Sequence, residues 1–185
     1  MRIVVHGQQA FGKAVLEKLL ERGENVVAVC SAPAKEGRPD DPLVALAKEQ
    51  GLPVHQPASW KSDEALTLMQ SFNADVCMMA YVLLFIPQAV RDAPKYGTFQ
   101  FHPSLCPHHR GPSSINWPIA MGETRTGLTI FWPNDGLDEG PIMLRSEERR
   151  RGKERRSRWS PSHFKNKYVL FPFPLLTLHT PLPPP

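Results

Sequence analysis

Two segments of the chain carry side chains able to do chemistry. The first is FQFHPSLCPHHRGPSSINW, residues 99–117. In an extended FQFH, alternation puts Phe99 and Phe101 on one face and Gln100 with His102 on the other. His102 then leaves an apolar strand into a loop rich in proline and glycine, and ligands of open α/β sheets bind outside the carboxyl ends of strands. The second segment is NDGLDEG, residues 134–140, which follows the apolar run TIFW. If the two strands run parallel, both loops leave the sheet on one side, and an acid of the second could orient the histidine or hold a water. The plainer readings are a hydrogen-bonded structural histidine and a solvated turn rich in Asp and Gly.

The elements that must position these loops alternate between short apolar runs and amphipathic segments, the pattern of an α/β sheet covered by helices. Strands are expected at residues 2–5, 25–30, 54–56, 74–79, 97–102 and 126–132, with one more beginning at Ile142. Helices are expected at 13–22, 43–50, from Ser62 or Asp63 to 71, 87–91 and 113–121. The opening turn, Gly7 to Gly12, has the spacing G-x-x-x-x-G. It lacks the G-x-G-x-x-G of a dinucleotide turn, and Lys13 is followed by Ala14 where a phosphate-binding loop needs Ser or Thr. A plain strand-to-helix turn is the reading.

Charge divides the chain. Residues 1–144 hold 12 Lys+Arg against 15 Asp+Glu, net −3, and residues 145–185 hold 10 against 3, net +7. The basic character therefore belongs to the tail. Cys30, Cys77 and Cys106 are odd in number with no CxxC spacing, which argues against a disulfide framework or a zinc site and for a reducing compartment. No apolar run approaches the roughly 20 residues of a membrane span. The expectation is a soluble, cytoplasmic protein with no membrane association and no metal.

The blocks GQQAFGKAV, AYVLLFIPQAV, HPSLCPHHRGPSSINW and IFWPNDGLDEGPI together resemble the folate-dependent formyltransferase family. That family includes methionyl-tRNA formyltransferase and glycinamide ribonucleotide formyltransferase, and the nearest branch is the hydrolase domain of 10-formyltetrahydrofolate dehydrogenase. The resemblance implies a Rossmann-like, mostly parallel sheet with helices on both faces. It implies 10-formyltetrahydrofolate as formyl donor, with the pterin end between Tyr81–Pro87 and the DGLD loop. Val82, Leu83, Phe85 and Ile86, flanked by Tyr81 and Pro87, would supply apolar wall and backbone hydrogen bonds, facing Asp135, Gly136 and Leu137. Ordinary core packing is the plainer account of such residues.

The resemblance further implies that His102 and Asp138, 36 residues apart, carry formyl transfer to water or an amine through a tetrahedral intermediate. The amine acceptors include aminoacyl-tRNA. Gln100 stands where many transferases of the family have Asn; it keeps the amide donor but adds a methylene. Cys106 falls where the family has leucine and reads as a small apolar residue. Ser104, Arg110 and Gly111 are read as support for the loop.

From Arg145 the character changes. RSEERRRGKERRSRWSPSH has neither helical nor strand periodicity and resembles one translated frame of a widely used DNA-sequencing adapter. Seven of the 20 prolines follow Ser160, which excludes a helix or central strand there. Residues 1–144 are accordingly read as an incomplete, truncated catalytic domain, lacking the strand and helix that close the family's sheet. Residues 145–185 are read as a non-native or disordered basic, proline-rich tail. A methionyl-tRNA formyltransferase is the alternative within the family, and two non-enzymatic readings stand beside it: a non-catalytic folate-binding remnant, and RNA binding by the basic tail.

Overall fold

In the computed structural model, residues 1–34 and 36–149 are described. The basic and proline-rich run after Arg149, and any RNA contact it makes, lie outside them.

Among the described residues, seven strands form one sheet in the order β3-β2-β1-β4-β5-β6-β7. They are β1 (Arg2–Gly7), β2 (Asn25–Cys30), β3 (Val54–His55), β4 (Val76–Ala80), β5 (Thr98–His102), β6 (Arg125–Phe131) and β7 (Ile142–Arg149). The first five are mutually parallel. Five helices join them: α1 (Gln9–Glu21), α2 (Pro42–Glu49), α3 (Asp63–Ser71), α4 (Gln88–Arg91) and α5 (Asn116–Ala120).

Strand alternation sorts the core into two layers. Ile3, Val5, Val29 and Val76 pack under Leu16 and Leu19 of α1 and Leu43 and Ala47 of α2. Val4, Ala28, Cys30, Cys77 and Met79 face Ala65 and Met69 of α3 and Val90 of α4. The helices thus lie on both faces. Asp41 starts two of them: its carboxylate accepts from Leu43 N–H at the head of α2 and from Gln9 N–H at the head of α1, each at 2.9 Å.

Three expectations change. Helix α1 begins at Gln9, so the six-residue turn contracts to Gly7–Gln8. Gly12 is a helical residue pressed on the sheet, where an added Cβ would lie 3.1 Å from Leu43 Cδ2. Helix α5 starts three residues later than Ser113, because Ser113 has a φ of 63°, outside helical space. Strand β7 continues to Arg149, past the boundary drawn at Leu144. Its residues pair with β6 from Phe131 back to Arg125, Arg145 Nη1 donates to Cys106 O at 2.6 Å, and Arg125 pairs with Glu147 at 2.8 Å. The strand therefore runs on beyond Leu144. It lacked a core signature because charged side chains suit an edge strand.

One core residue makes stability pH-dependent. His6, on β1, is 2 % exposed and lies tilted against Trp60 at 4.5 Å between ring centroids. Its Nδ1 has no partner among the described residues, and burial lowers its pKa from 6.5 to about 3. Above pH 6.5 the ring is neutral both folded and unfolded and contributes nothing to the pH dependence. As pH falls from 6.5 toward 3, the unfolded chain takes a proton that the folded one refuses, and stability drops. The full loss is on the order of 5 kcal/mol. Urea unfolding at pH 7 and pH 4.5 should show a little over half of this loss in the parent chain and a flatter profile in His6→Phe. Equal acid sensitivity in both would rule His6 out as the source.

Candidate active site

β5 supplies the first part of the site. Phe101 stacks on Phe11 of α1 at 4.2 Å, and Phe99 packs into the α1–α2 layer. The opposite face, carrying Gln100 and His102, is therefore the α3–α4 face.

β6 runs antiparallel to β5, pairing Gln100 with Phe131 and His102 with Thr129. The parallel arrangement that would have put both loops at one end of the sheet does not exist. Residues 132–141 leave near the start of β5, not its end. They form a closed excursion whose base is held by Trp132 N–H to Pro141 O and Asn134 N–H to Glu139 O, both 3.0 Å. This excursion brings Asp138, with a φ of 47°, to the Gln100–His102 face of β5.

Asp138 is the hub. One carboxylate oxygen accepts from Gln100 Nε2 at 3.1 Å. The other accepts from Gly111 N–H at 2.7 Å and lies 3.4 Å from His102 Nδ1. His102 Nε2 donates to the His109 carbonyl at 3.0 Å. Nε2 is thus committed as a donor, and Nδ1 is the ring nitrogen turned toward the carboxylate. The His109 ring is itself tied to Glu123 at 2.7 Å.

The supporting residues cross-link the loops. Ser104 Oγ donates to His108 O at 2.7 Å, and Arg110 pairs with Glu139 at 2.8 Å. Cys106 is 3 % exposed, and its N–H donates to Thr129 Oγ at 3.1 Å. It is a buried packing residue.

A cleft of about 360 Å³ opens beside the hub, lined by residues 82–86, Met79, Arg91 and Gln100 and by residues 133–138. Val82, Leu83, Phe85, Ile86, Asp135, Gly136 and Leu137 meet there, as do Gln100 and Asp138. His102 is outside the lining and connects to the cleft through Asp138. Tyr81 lies apart, lining a water-sized cavity of about 10 Å³ with His6 and Gln8, and Pro87 caps α4. Leu84, Arg91 and Asn134 line the cleft without having been singled out. No sequence signal marks Arg91 as buried.

The formyl transferase family model matches residues 1–149. The chain belongs to the formyl transferase family. It is 40% identical over 149 residues to the mitochondrial 10-formyltetrahydrofolate dehydrogenase of Mus musculus, which covers 78% of this chain and 16% of that protein. It is 37% identical over 150 residues to the methionyl-tRNA formyltransferase of Citrifermentans bemidjiense, covering 78% of this chain and 47% of the relative. Among solved structures, phosphoribosylglycinamide formyltransferase from Bacillus halodurans shares the fold at a TM-score of 0.70 and 18% identity, over 84% of this chain and 83% of that one. The chain thus spans about a sixth of the dehydrogenase's length and about half of the transferase's. As a formyl transferase domain it belongs to a family of enzymes. Among the described residues, no helix is long and apolar enough to cross a membrane.

Proposed function

We propose that the cleft binds 10-formyltetrahydrofolate and that Asp138, Gln100 and His102 release its formyl group to water or an amine. The observation that carries this reading is the carboxylate and the amide side by side on the cleft wall, with an imidazole behind the carboxylate. The walls suit a flat heteroaromatic ring, since Val82–Ile86 offer apolar surface and Asn134–Leu137 offer backbone polar groups.

The chemistry needs a general base, an oxyanion donor and a proton for the leaving nitrogen. A water or amine held by Asp138 attacks the formyl carbon, and the carbonyl electrons move onto oxygen. Gln100, with one N–H committed to Asp138 and a second remaining, is the donor nearest the cleft for that oxyanion. The nucleophile's proton passes to the Asp138–His102 pair. When the bond from carbon to N10 breaks, the same pair returns a proton to the nitrogen, giving tetrahydrofolate and formate or a formylated amine. No step requires a metal or a covalent enzyme intermediate.

The test is to incubate the full chain with 10-formyltetrahydrofolate and follow tetrahydrofolate and formate. Release that falls at least a hundredfold in His102→Ala supports the reading. His102 has both ring nitrogens engaged inside the protein, which favours a second reading as a folate binder without catalysis. Folate binding with no release, unchanged by His102→Ala, would establish that one. Adding candidate amines, aminoacyl-tRNA included, then separates hydrolysis from transfer by whether formate yields to a formylated product.

A further inference from the structure

We propose that Arg91 is a positioning residue that fixes the width of the cleft, holding its two walls at the spacing a planar pterin ring needs. This rests on the formyltetrahydrofolate reading of the same cleft.

Arg91 ends α4, a helix of four residues, and an arginine there would ordinarily extend its guanidinium into water. Instead the residue is 5 % exposed. Its backbone is pinned by Thr98 Oγ, which donates to Arg91 O at 2.7 Å. The guanidinium reaches both walls at once. Nη1 donates to Ile86 O at 2.8 Å, in the wall formed by residues 82–86. Nη2 donates to Asp135 at 2.7 Å, in the wall formed by residues 133–138. Phe85, more than half exposed at the cleft, has its ring centroid 6.0 Å from the guanidinium carbon. A rigid planar fork thus spans two segments that are distant in sequence and share no strand pairing.

Charge balance points the same way. The partner carboxylate of Asp135 is 68% exposed, and Arg91 Nε has no partner among the described residues. A buried guanidinium with one exposed counter-ion and an idle donor is a poor stabilising device. Its geometry makes sense as a tie between walls. Lysine cannot replace it, because a single ammonium on a flexible stem cannot hold a carbonyl and a carboxylate in one plane.

Asp135 allows a test that leaves the core intact, since its side chain is mostly in water. Hydrogen–deuterium exchange on the ligand-free full chain, parent against Asp135→Ala, should show faster uptake in peptides covering 82–87 as well as 133–138. Tetrahydrofolate affinity should fall about tenfold. Asp135→Glu should restore exchange and affinity to within threefold of the parent. Unchanged exchange across 82–87 overturns the tie, whatever the ligand does. Coupled exchange with unchanged affinity overturns its role in binding. Coupled exchange in a parent chain that binds no tetrahydrofolate leaves the tie standing and overturns the folate reading instead.

Discussion

Asp138→Asn should lower kcat for formyl release by about a thousandfold, within the range of 10²–10⁴ that a positioned acid or base contributes, while KM for the folate changes less than tenfold. The carboxylate accepts from Gly111 N–H and Gln100 Nε2 and faces His102 Nδ1. Two of these neighbours donate to it, and the third places a ring nitrogen 3.4 Å away. Asparagine offers one acceptor oxygen and one donating amide nitrogen, so at least one neighbour would meet a donor with a donor. The substitution removes the proposed base and also disturbs the imidazole beside it.

The stability cost should stay small beside the catalytic one. Hydrogen bonds to a charged group contribute roughly 1.5–3 kcal/mol each, and asparagine retains part of that. Steady-state kinetics with a thermal melt separates the effects. A variant that keeps more than a tenth of the parental kcat would show that Asp138 braces a loop and is not the base. Asp138→Glu keeps the charge but extends it by a methylene from a backbone in left-handed geometry. It should recover little, because the contacts leave no slack.

Why some of this was legible and some not follows from where the information sits. The two-layer core was readable, since RIVVHG, NVVAVC and VCMMA are apolar runs and the faces follow from alternation. The opposed faces of β5 were readable for the same reason, with Phe99 and Phe101 against α1 and Gln100 and His102 across from them. Strand direction was not. A run such as TIFW is equally apolar whether parallel or antiparallel, and the reversal of β6 depends on the path of residues 103–124. The meeting of His102 and Asp138 was therefore reached from motif resemblance, while the direction argued for it was wrong. The excursion 132–141 makes the contact. Strand β7 was cut short for a related reason. Arg145 and Glu147 are satisfied by Cys106 O and Arg125, contacts with no periodic signature. Arg91 was missed because a buried guanidinium looks, in sequence, like any arginine at a helix end.

The excursion itself depends on one residue, and Gly140→Ala should collapse the site. Gly140 has a φ of 133°, which an L side chain rarely adopts, and an added Cβ would overlap the Trp132 carbonyl oxygen and press on Asn134 N at 3.3 Å. These atoms are backbone at the base of the loop, next to the Trp132–Pro141 and Asn134–Glu139 hydrogen bonds. They cannot move aside as a flexible side chain would. The base must open, and Asp138 two residues away loses its fixed position over β5. A strained left-handed backbone costs about 1–3 kcal/mol, and breaking a base hydrogen bond adds about 1 kcal/mol. Destabilisation of about 3 kcal/mol lowers Tm by roughly 6–12 °C for a domain of this size. The loss of formyl release should equal or exceed that of Asp138→Asn, because Gly140→Ala misplaces the carboxylate along with the wall that Asp135 and Leu137 form. The contrast with Gly122 makes the test specific. Gly122 also has a positive φ but nothing within 4 Å of an added Cβ, so Gly122→Ala carries the conformational strain alone. If Gly140→Ala and Gly122→Ala lower Tm equally and leave release intact, the loop base is soft, and the rigidity assigned to the site is wrong.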